Sequence, residues 1–362
     1  MDLSEKRAAI PNTLRGQSLL IPDLAALIYP DWTVGRHDHE RELKAEIEGD
    51  FLVRYVPSAK KQQQLKRSNA AMLAGYFWSG SSVERFRPLA QFMYWFFCWN
   101  DEFGCSNLRN DREGTEAYGQ ASKGFLRWCL DPDNYHQTRL ARPAIQGYHN
   151  CDSFQEIGEA MQIGHSRDAL NRFADSLYKY IDSVCSVQET RSKEVPTLDE
   201  YLLNRIHPIG AFPCIMAMEF AYALTIPAWV YSHETSRTMF RETAVSCIIV
   251  NDVLSLKNKV AADRFDNVIP LKMLQLDTDS AQTALEDVIK DLQKSRRTFS
   301  RAEYLLQMSS EFKQLSQETK DNVQVLIQGC KNMMLGNIKW SLSNSRYILD
   351  KYLEGSAARV TL

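Results

Sequence analysis

From His39 to about residue 351, apolar side chains recur every three to four positions almost without interruption. That period, more than any single motif, limits the chain to helices packed on helices. It predicts helices over 39–55, 59–78, 83–103, 114–130, 138–147, 152–162, 166–186, 197–224, 236–258, 279–308 and 313–351. Short alternating β-branched segments between Gly or Asn turns, which a sheet needs, do not occur. Loops fall at Ser79-Gly80-Ser81-Ser82, Asp131-Pro132-Asp133-Asn134 and Val195-Pro196-Thr197. The expected fold class is all-α, a single helical-bundle domain over 39–352. A content of 44% apolar and 10% aromatic residues is enough to fill a large core.

Residues 1–38 lack a sustained period and carry Pro11, Pro22 and Pro30, so they read as an extended arm with one short helix near Leu24–Ile28. Residues 353–362 read as a C-terminal tail. Charge is nearly balanced, 43 basic against 45 acidic residues for a net of −2, which gives no case for nucleic acid or an anionic membrane as partner. The N-terminal Met-Asp-Leu-Ser-Glu-Lys-Arg has no apolar signal segment, and no apolar run approaches the length of a membrane span, so a soluble cytoplasmic chain is expected. The eight cysteines include no CxxC pair, and several sit in apolar runs such as Phe96-Phe97-Cys98-Trp99. That usage fits buried reduced thiols better than a disulfide framework or a zinc site.

The 83–99 stretch ends Gln91-Phe92-Met93-Tyr94-Trp95-Phe96-Phe97-Cys98-Trp99, too aromatic for one stripe, and belongs at the centre of the bundle. It changes abruptly to Asn100-Asp101-Glu102-Phe103-Gly104. Acids at a helix C-terminal end oppose the macrodipole, so they need a cation or water. A second apolar run, Cys247-Ile248-Ile249-Val250, delivers Asn251, Ser255 and Lys259 at i, i+4 and i+8 on one helix face. Neutral amide and hydroxyl oxygens on such a stripe suit Mg2+ held mainly through phosphate oxygens. Arg205 stands just before Pro208, Gly210 and Pro213, where its helix must break, and is aimed at an anion there. Near the C-terminus, Trp340 and the pair Arg346-Tyr347 are expected to share the 313–351 helix.

In order and spacing these features resemble the class I terpene synthases of the fungal or bacterial sesquiterpene cyclase type, over about residues 40–350. The family's aspartate-rich motif corresponds to Trp99-Asn100-Asp101-Glu102-Phe103-Gly104, and its NDxxSxxxE-type motif to Asn251-Asp252-x-x-Ser255-x-x-x-Lys259. Arg205, 46 residues before Asn251, matches a diphosphate-sensing arginine. Arg346-Tyr347 and Trp340 match an Arg-Tyr pair and a pocket tryptophan. The departures are Asn100 and Gly104 at the acidic positions of DDxxD/E, Lys259 in place of a metal-binding Glu, and Asn258 where a lysine often meets diphosphate.

The resemblance implies a central apolar cavity, up to three Mg2+ ions bound with diphosphate, and a sesquiterpene synthase acting on farnesyl diphosphate. Metal would be held by Asp101, Asn100, Glu102, Asn251 and Ser255. Arg205, Arg346 and Tyr347 would bind diphosphate, and Lys259 would set its ammonium where a metal's charge is missing. Trp340, Phe97 and Tyr94 would line the hydrocarbon pocket, with Phe77, Phe173 and Phe212 as further candidates. Family members often form homodimers. Alternatives are a geranylgeranyl diphosphate cyclase, or a degenerate cyclase that binds isoprenoid diphosphate with little or no turnover. A chain-elongating prenyltransferase would need two intact DDxxD motifs, and none is present.

Overall fold

Helices start where the sequence offers an oxygen to the first free backbone N–H groups. Asp23, Ser58, Asn267, Ser280 and Ser309 each cap a helix with the side chain. Thr197 and Glu200 form a reciprocal capping box. The computed structural model describes residues 3–105, 108, 111–130, 143, 149–190, 196–264, 266–343, 347, 351–352 and 357–362. The expected 138–147 helix lies almost wholly outside them.

In chain order the helices are α1 (Leu3–Leu14), α2 (Leu24–Ile28), α3 (Glu40–Gly49), α4 (Phe51–Tyr55), α5 (Ala59–Ser68), α6 (Ala70–Phe77), α7 (Val83–Cys105), α8 (Arg112–Leu130), α9 (His149–Asp152) and α10 (Phe154–Gln162). They continue with α11 (Arg167–Thr190), α12 (Leu198–Arg205), α13 (Ala211–Met216), α14 (Met218–Ala221), α15 (Ala228–Ser232), α16 (Glu234–Ala261), α17 (Val268–Leu276), α18 (Ala281–Met308), α19 (Ser310–Lys313) and α20 (Gln317–Ser343).

Neighbouring contacts close a ring. Helix α6 packs on α7, α7 on α10, α10 on α8, α8 on α11, α11 on α13, α13 on α16, α16 on α20, and α20 back on α6. Outside the ring, α18 buttresses α16 and α17, and α3 covers α6. The return contact from α20 to α6 needs Gly336, where a Cβ would stand 2.6 Å from Tyr76 Cβ. Helix α7 explains its own composition: Phe92, Trp95 and Trp99 pack into the wall against Phe154, Phe173 and Tyr118, while Met93, Phe96, Phe97 and Asn100 face inward. An aromatic helix with a core on both sides is apolar all round.

The expected 197–224 helix breaks as Pro208 and Gly210 require, and Gly210 takes the left-handed region at φ +79°. A Cβ there would fall 2.3 Å from the Phe96 ring, so only glycine lets the broken segment approach α7 so closely. The C-terminal expectation is corrected: α20 ends at Ser343, so Tyr347 does not share a helix with Trp340. The arm and tail also carry more structure than expected. Strand β1 (Ser18–Ile21) pairs antiparallel with β3 (Ala358–Thr361), which pairs with β2 (Lys351–Tyr352). Among the described residues no helix is long and apolar enough to cross a membrane, and the described cysteines are free thiols.

Candidate active site

The ring encloses a cavity of about 910 Å³, within the ~300–1,000 Å³ usual for small-molecule sites. Its inner wall is apolar, with Leu73, Phe77, Met93, Phe96, Phe97, Met333 and Trp340, and its other end is polar, with Asn100, Asp101, Arg205, Asn251, Lys259 and Tyr347.

Asp252 organises the polar end. It is fully buried, and its Oδ2 accepts from the Tyr201 hydroxyl at 2.6 Å and from the Val268 N–H at 3.1 Å. Its Oδ1 accepts from Lys259 Nζ at 2.9 Å and lies 3.6 Å from Arg205 Nη2. One carboxylate thus ties α12, α16 and the start of α17 together. Lys259 also donates to the Asp266 carbonyl at 2.7 Å. Burial pushes the Lys259 ammonium down from its ordinary pKa despite Asp252. Burial also works against Arg205, but Tyr201, Asp252 and Asp266 outweigh it and push the guanidinium up.

Asn251 is the meeting point. Its Oδ1 accepts from Arg205 Nη2 at 3.4 Å and its Nδ2 donates to the Tyr347 hydroxyl at 2.9 Å. Arg205, Asn251 and Tyr347 are therefore joined at one rim. Arg346 lies outside the described residues. Ser255, one turn from Asn251, has a buried Oγ with no hydrogen-bond partner among the described residues.

On α7, Asn100 Oδ1 accepts from the Tyr180 hydroxyl at 3.4 Å and Asp101 Oδ2 from Gln64 Nε2 at 3.2 Å, and both residues line the cavity. Glu102 does not line it; its carboxylate is held by Lys61 Nζ at 2.6 Å. Asp101 and Asn251 line the cavity with oxygens that suit a hard divalent cation, whereas Ser255 is not among the lining residues. Among the described residues no three His, Cys, Asp or Glu side chains converge, so such a cation would take most of its oxygens from the ligand it binds with.

Trp340 is fixed by its indole N–H, which donates to the Ser68 and Asn69 carbonyls at 2.9 and 3.1 Å. Its ring centre lies 5.7 Å from Phe97 and 6.0 Å from Tyr347. Tyr94 corrects the sequence expectation. It is fully buried, turned away from the cavity, and donates to Glu48 Oε1 on α3 at 2.7 Å. The inward positions Met93, Phe96, Phe97 and Asn100 share one helix face, and Tyr94, one residue and ~100° on from Met93, falls off that face toward α3. Of the further candidates, Phe77 lines the cavity, whereas Phe173 packs on Phe92 and Phe212 near His207.

Sequence reading missed Asp252, Gln64 and Arg264. Asp252 had a signal, since Lys259 sits seven residues on, two turns along the same face. Gln64 and Arg264 had none without the tertiary fold.

The family model described as terpene synthase family 2, C-terminal metal binding, matches residues 91–298, more than half of the chain. Terpene cyclase braA of Annulohypoxylon truncatum is 27% identical over 349 residues, covering 95% of this chain and 90% of its own length. Sesquiterpene cyclase hepA of Aspergillus oryzae is 22% identical over 369 residues, covering 98% and 96%. The crystal structure of germacradien-4-ol synthase from Streptomyces citricolor aligns with a TM-score of 0.72 at 17% identity, over 87% of this chain and 97% of that one, a likeness of fold. Ring, cavity and family match agree, and the chain belongs to terpene synthase family 2, as a terpene cyclase with the class I helical fold.

Proposed function

We propose that the chain is a sesquiterpene synthase that ionises farnesyl diphosphate, cyclises the resulting carbocation and releases diphosphate, giving a hydrocarbon or an alcohol. The observation that carries this reading is the convergence of Arg205, Asn251 and Tyr347 on the rim of an aromatic-walled cavity. The relative named a sesquiterpene cyclase spans nearly the whole chain and favours a C15 substrate.

Mg2+, up to three ions, is the metal the family implies; Asp101, Asn100, Asn251 and Ser255 are the residues that would hold it. When bound it draws charge off the leaving diphosphate as a Lewis acid. Arg205 and the Tyr347 hydroxyl bind diphosphate oxygens through charge-assisted hydrogen bonds, with Arg346 as a further ligand by resemblance. As the C–O bond breaks, its electron pair leaves with the diphosphate, and the allyl cation stays among Phe77, Phe96, Phe97 and Trp340. Each aromatic face offers ~0.5–2 kcal/mol to a cation near it. Because Trp340 is anchored through its N–H, its ring face is held in place as the cation moves. Lys259 compensates Asp252 and adds positive charge to the same end of the cavity. Phe97 and Trp340 are substrate-facing residues on this reading, and Tyr94 is not.

A second reading, a degenerate cyclase that binds diphosphate with little turnover, is favoured by Glu102 and Lys259 being already paired within the protein. Incubation with farnesyl and geranylgeranyl diphosphates, with and without Mg2+, followed by extraction of volatiles, separates the two. A Mg2+-dependent C15 product supports the synthase; diphosphate binding without product supports the alternative.

A further inference from the structure

Among the described residues that line the cavity, the basic side chains are Lys60, Arg67, Arg205, Lys259 and Arg264, and the acidic ones are Asp101 and Asp266. Arg205 and Lys259 are committed to the Asn251–Asp252 cluster. The other three are not. No ion pair or hydrogen bond from the side chain of Lys60, Arg67 or Arg264 is made to a described residue, and Arg264 Nε is buried without a partner.

Each is set in place by the backbone. Lys60, Gln63, Gln64 and Arg67 stand at i, i+3, i+4 and i+7 on α5, forming one polar stripe. That stripe flanks the acidic end of α7, where Gln64 bonds Asp101. Arg264 follows a left-handed C-terminal cap on α16: Asp263, at φ +52°, donates its N–H to the Val260 carbonyl at 3.1 Å, and Arg264 N–H reaches back to the Lys259 carbonyl at 2.8 Å. Arg15, just beyond α1, pairs with Asp263 and ties this turn to the N-terminal arm. A buried, unpartnered guanidinium Nε on a doubly anchored turn is spare hydrogen-bonding capacity at the rim of a cavity.

We propose that Arg264, with Lys60 and Arg67, forms a second anion grip that binds the diphosphate group through protein cations alone, so that pyrophosphate is held without metal. This rests on the mouth being a diphosphate site. It differs from the Arg205–Asn251–Tyr347 contact in using residues from α5 and from the turn after α16. A grip that joins a half-buried arginine to two exposed cations weakens as ionic strength rises.

The test is a calorimetric titration of the full chain with inorganic pyrophosphate in EDTA. Saturable binding is expected, weakened about tenfold by Arg264→Ala. The double substitution Lys60→Ala, Arg67→Ala, at exposed positions where folding is not at stake, weakens it about two- to fivefold. Arg264→Lys keeps the charge and recovers part of the loss. No saturable binding in EDTA, or binding that these substitutions leave unchanged, overturns the proposal. In parallel, absence of any terpene from the wild-type chain with Mg2+ and isoprenyl diphosphates counts against the synthase reading, while the titration still decides whether the grip exists.

Discussion

Two clusters that pair a partly exposed arginine with a buried carboxylate are built to opposite specifications in this chain. Arg172 meets Glu219 through Nε at 3.0 Å and Nη2 at 2.8 and 2.9 Å, and its guanidinium lies 4.6 Å from the centre of the Tyr231 ring. Neither charged residue lines the cavity. Arg205 stands 3.6 Å from an Asp252 already shared with Lys259, Tyr201 and a backbone N–H, and its Nε has no partner among the described residues. The first cluster is complete and joins α11 to α14. The second is left short of hydrogen bonds beside a cavity, which is reasonable only where a ligand supplies the missing oxygens.

Removing one member of the complete pair has the largest expected effect. Glu219→Ala strands a partly buried guanidinium and lowers stability by about 3 kcal/mol, the low end for breaking a buried pair, read by urea denaturation. Activity per folded molecule is unchanged. Arg205→Ala does the reverse: it leaves Asp252 with Lys259, Tyr201 and Val268 N–H, so stability changes little. Turnover of farnesyl diphosphate falls about 10²–10³-fold, as for loss of one transition-state donor. Equal stability losses for the two variants would erase the contrast.

His165 sharpens the same comparison, because Arg172 is one of its neighbours. Burial first, then Arg85 and Arg172, push it down to about 4, while its contact to the Met161 carbonyl at 3.0 Å opposes the shift. The unfolded chain takes up a proton on this group near pH 6.5 and the folded chain only near 4. Stability is therefore full above pH 6.5 and falls by about 3 kcal/mol as pH drops to 4. Denaturation midpoints against pH should show that slope flattened in His165→Gln.

The smallest effect separates cavity from wall within α7. Phe97→Ala shifts the product mixture and slows turnover by ~0.5–2 kcal/mol of lost cation stabilisation, read by gas chromatography of the products. Tyr94→Phe changes stability by about 1 kcal/mol through the lost bond to Glu48 and leaves the product mixture as it was. A product change from Tyr94→Phe would return that residue to the pocket.

Local rules carried much of this into the sequence. The helix break before Gly210, the buried aromatic helix and the placing of Asn251 and Lys259 on one helix face follow from periods and from proline and glycine chemistry. What they miss is decided by neighbours distant in sequence. The side chain of Tyr94 goes where α3 presents Glu48, and Asp252 finds its partners on α12 and α17. Helix α17 escaped notice because Val268-Ile269-Pro270-Leu271-Lys272-Met273 is buried on all sides, so its composition shows no period. The terminal strands are short and pair with each other from opposite ends of the chain, which no local pattern encodes.

The central claim is that Arg205, Asn251 and Tyr347 receive a diphosphate above an apolar chamber. A crystal structure with an unreactive farnesyl diphosphate analogue tests it most directly. Diphosphate oxygens are expected within hydrogen-bonding distance of Arg205 and Tyr347, and the fifteen-carbon chain against Phe97 and Trp340. A ligand bound elsewhere, or seated with its hydrocarbon chain outside the ring, would contradict it.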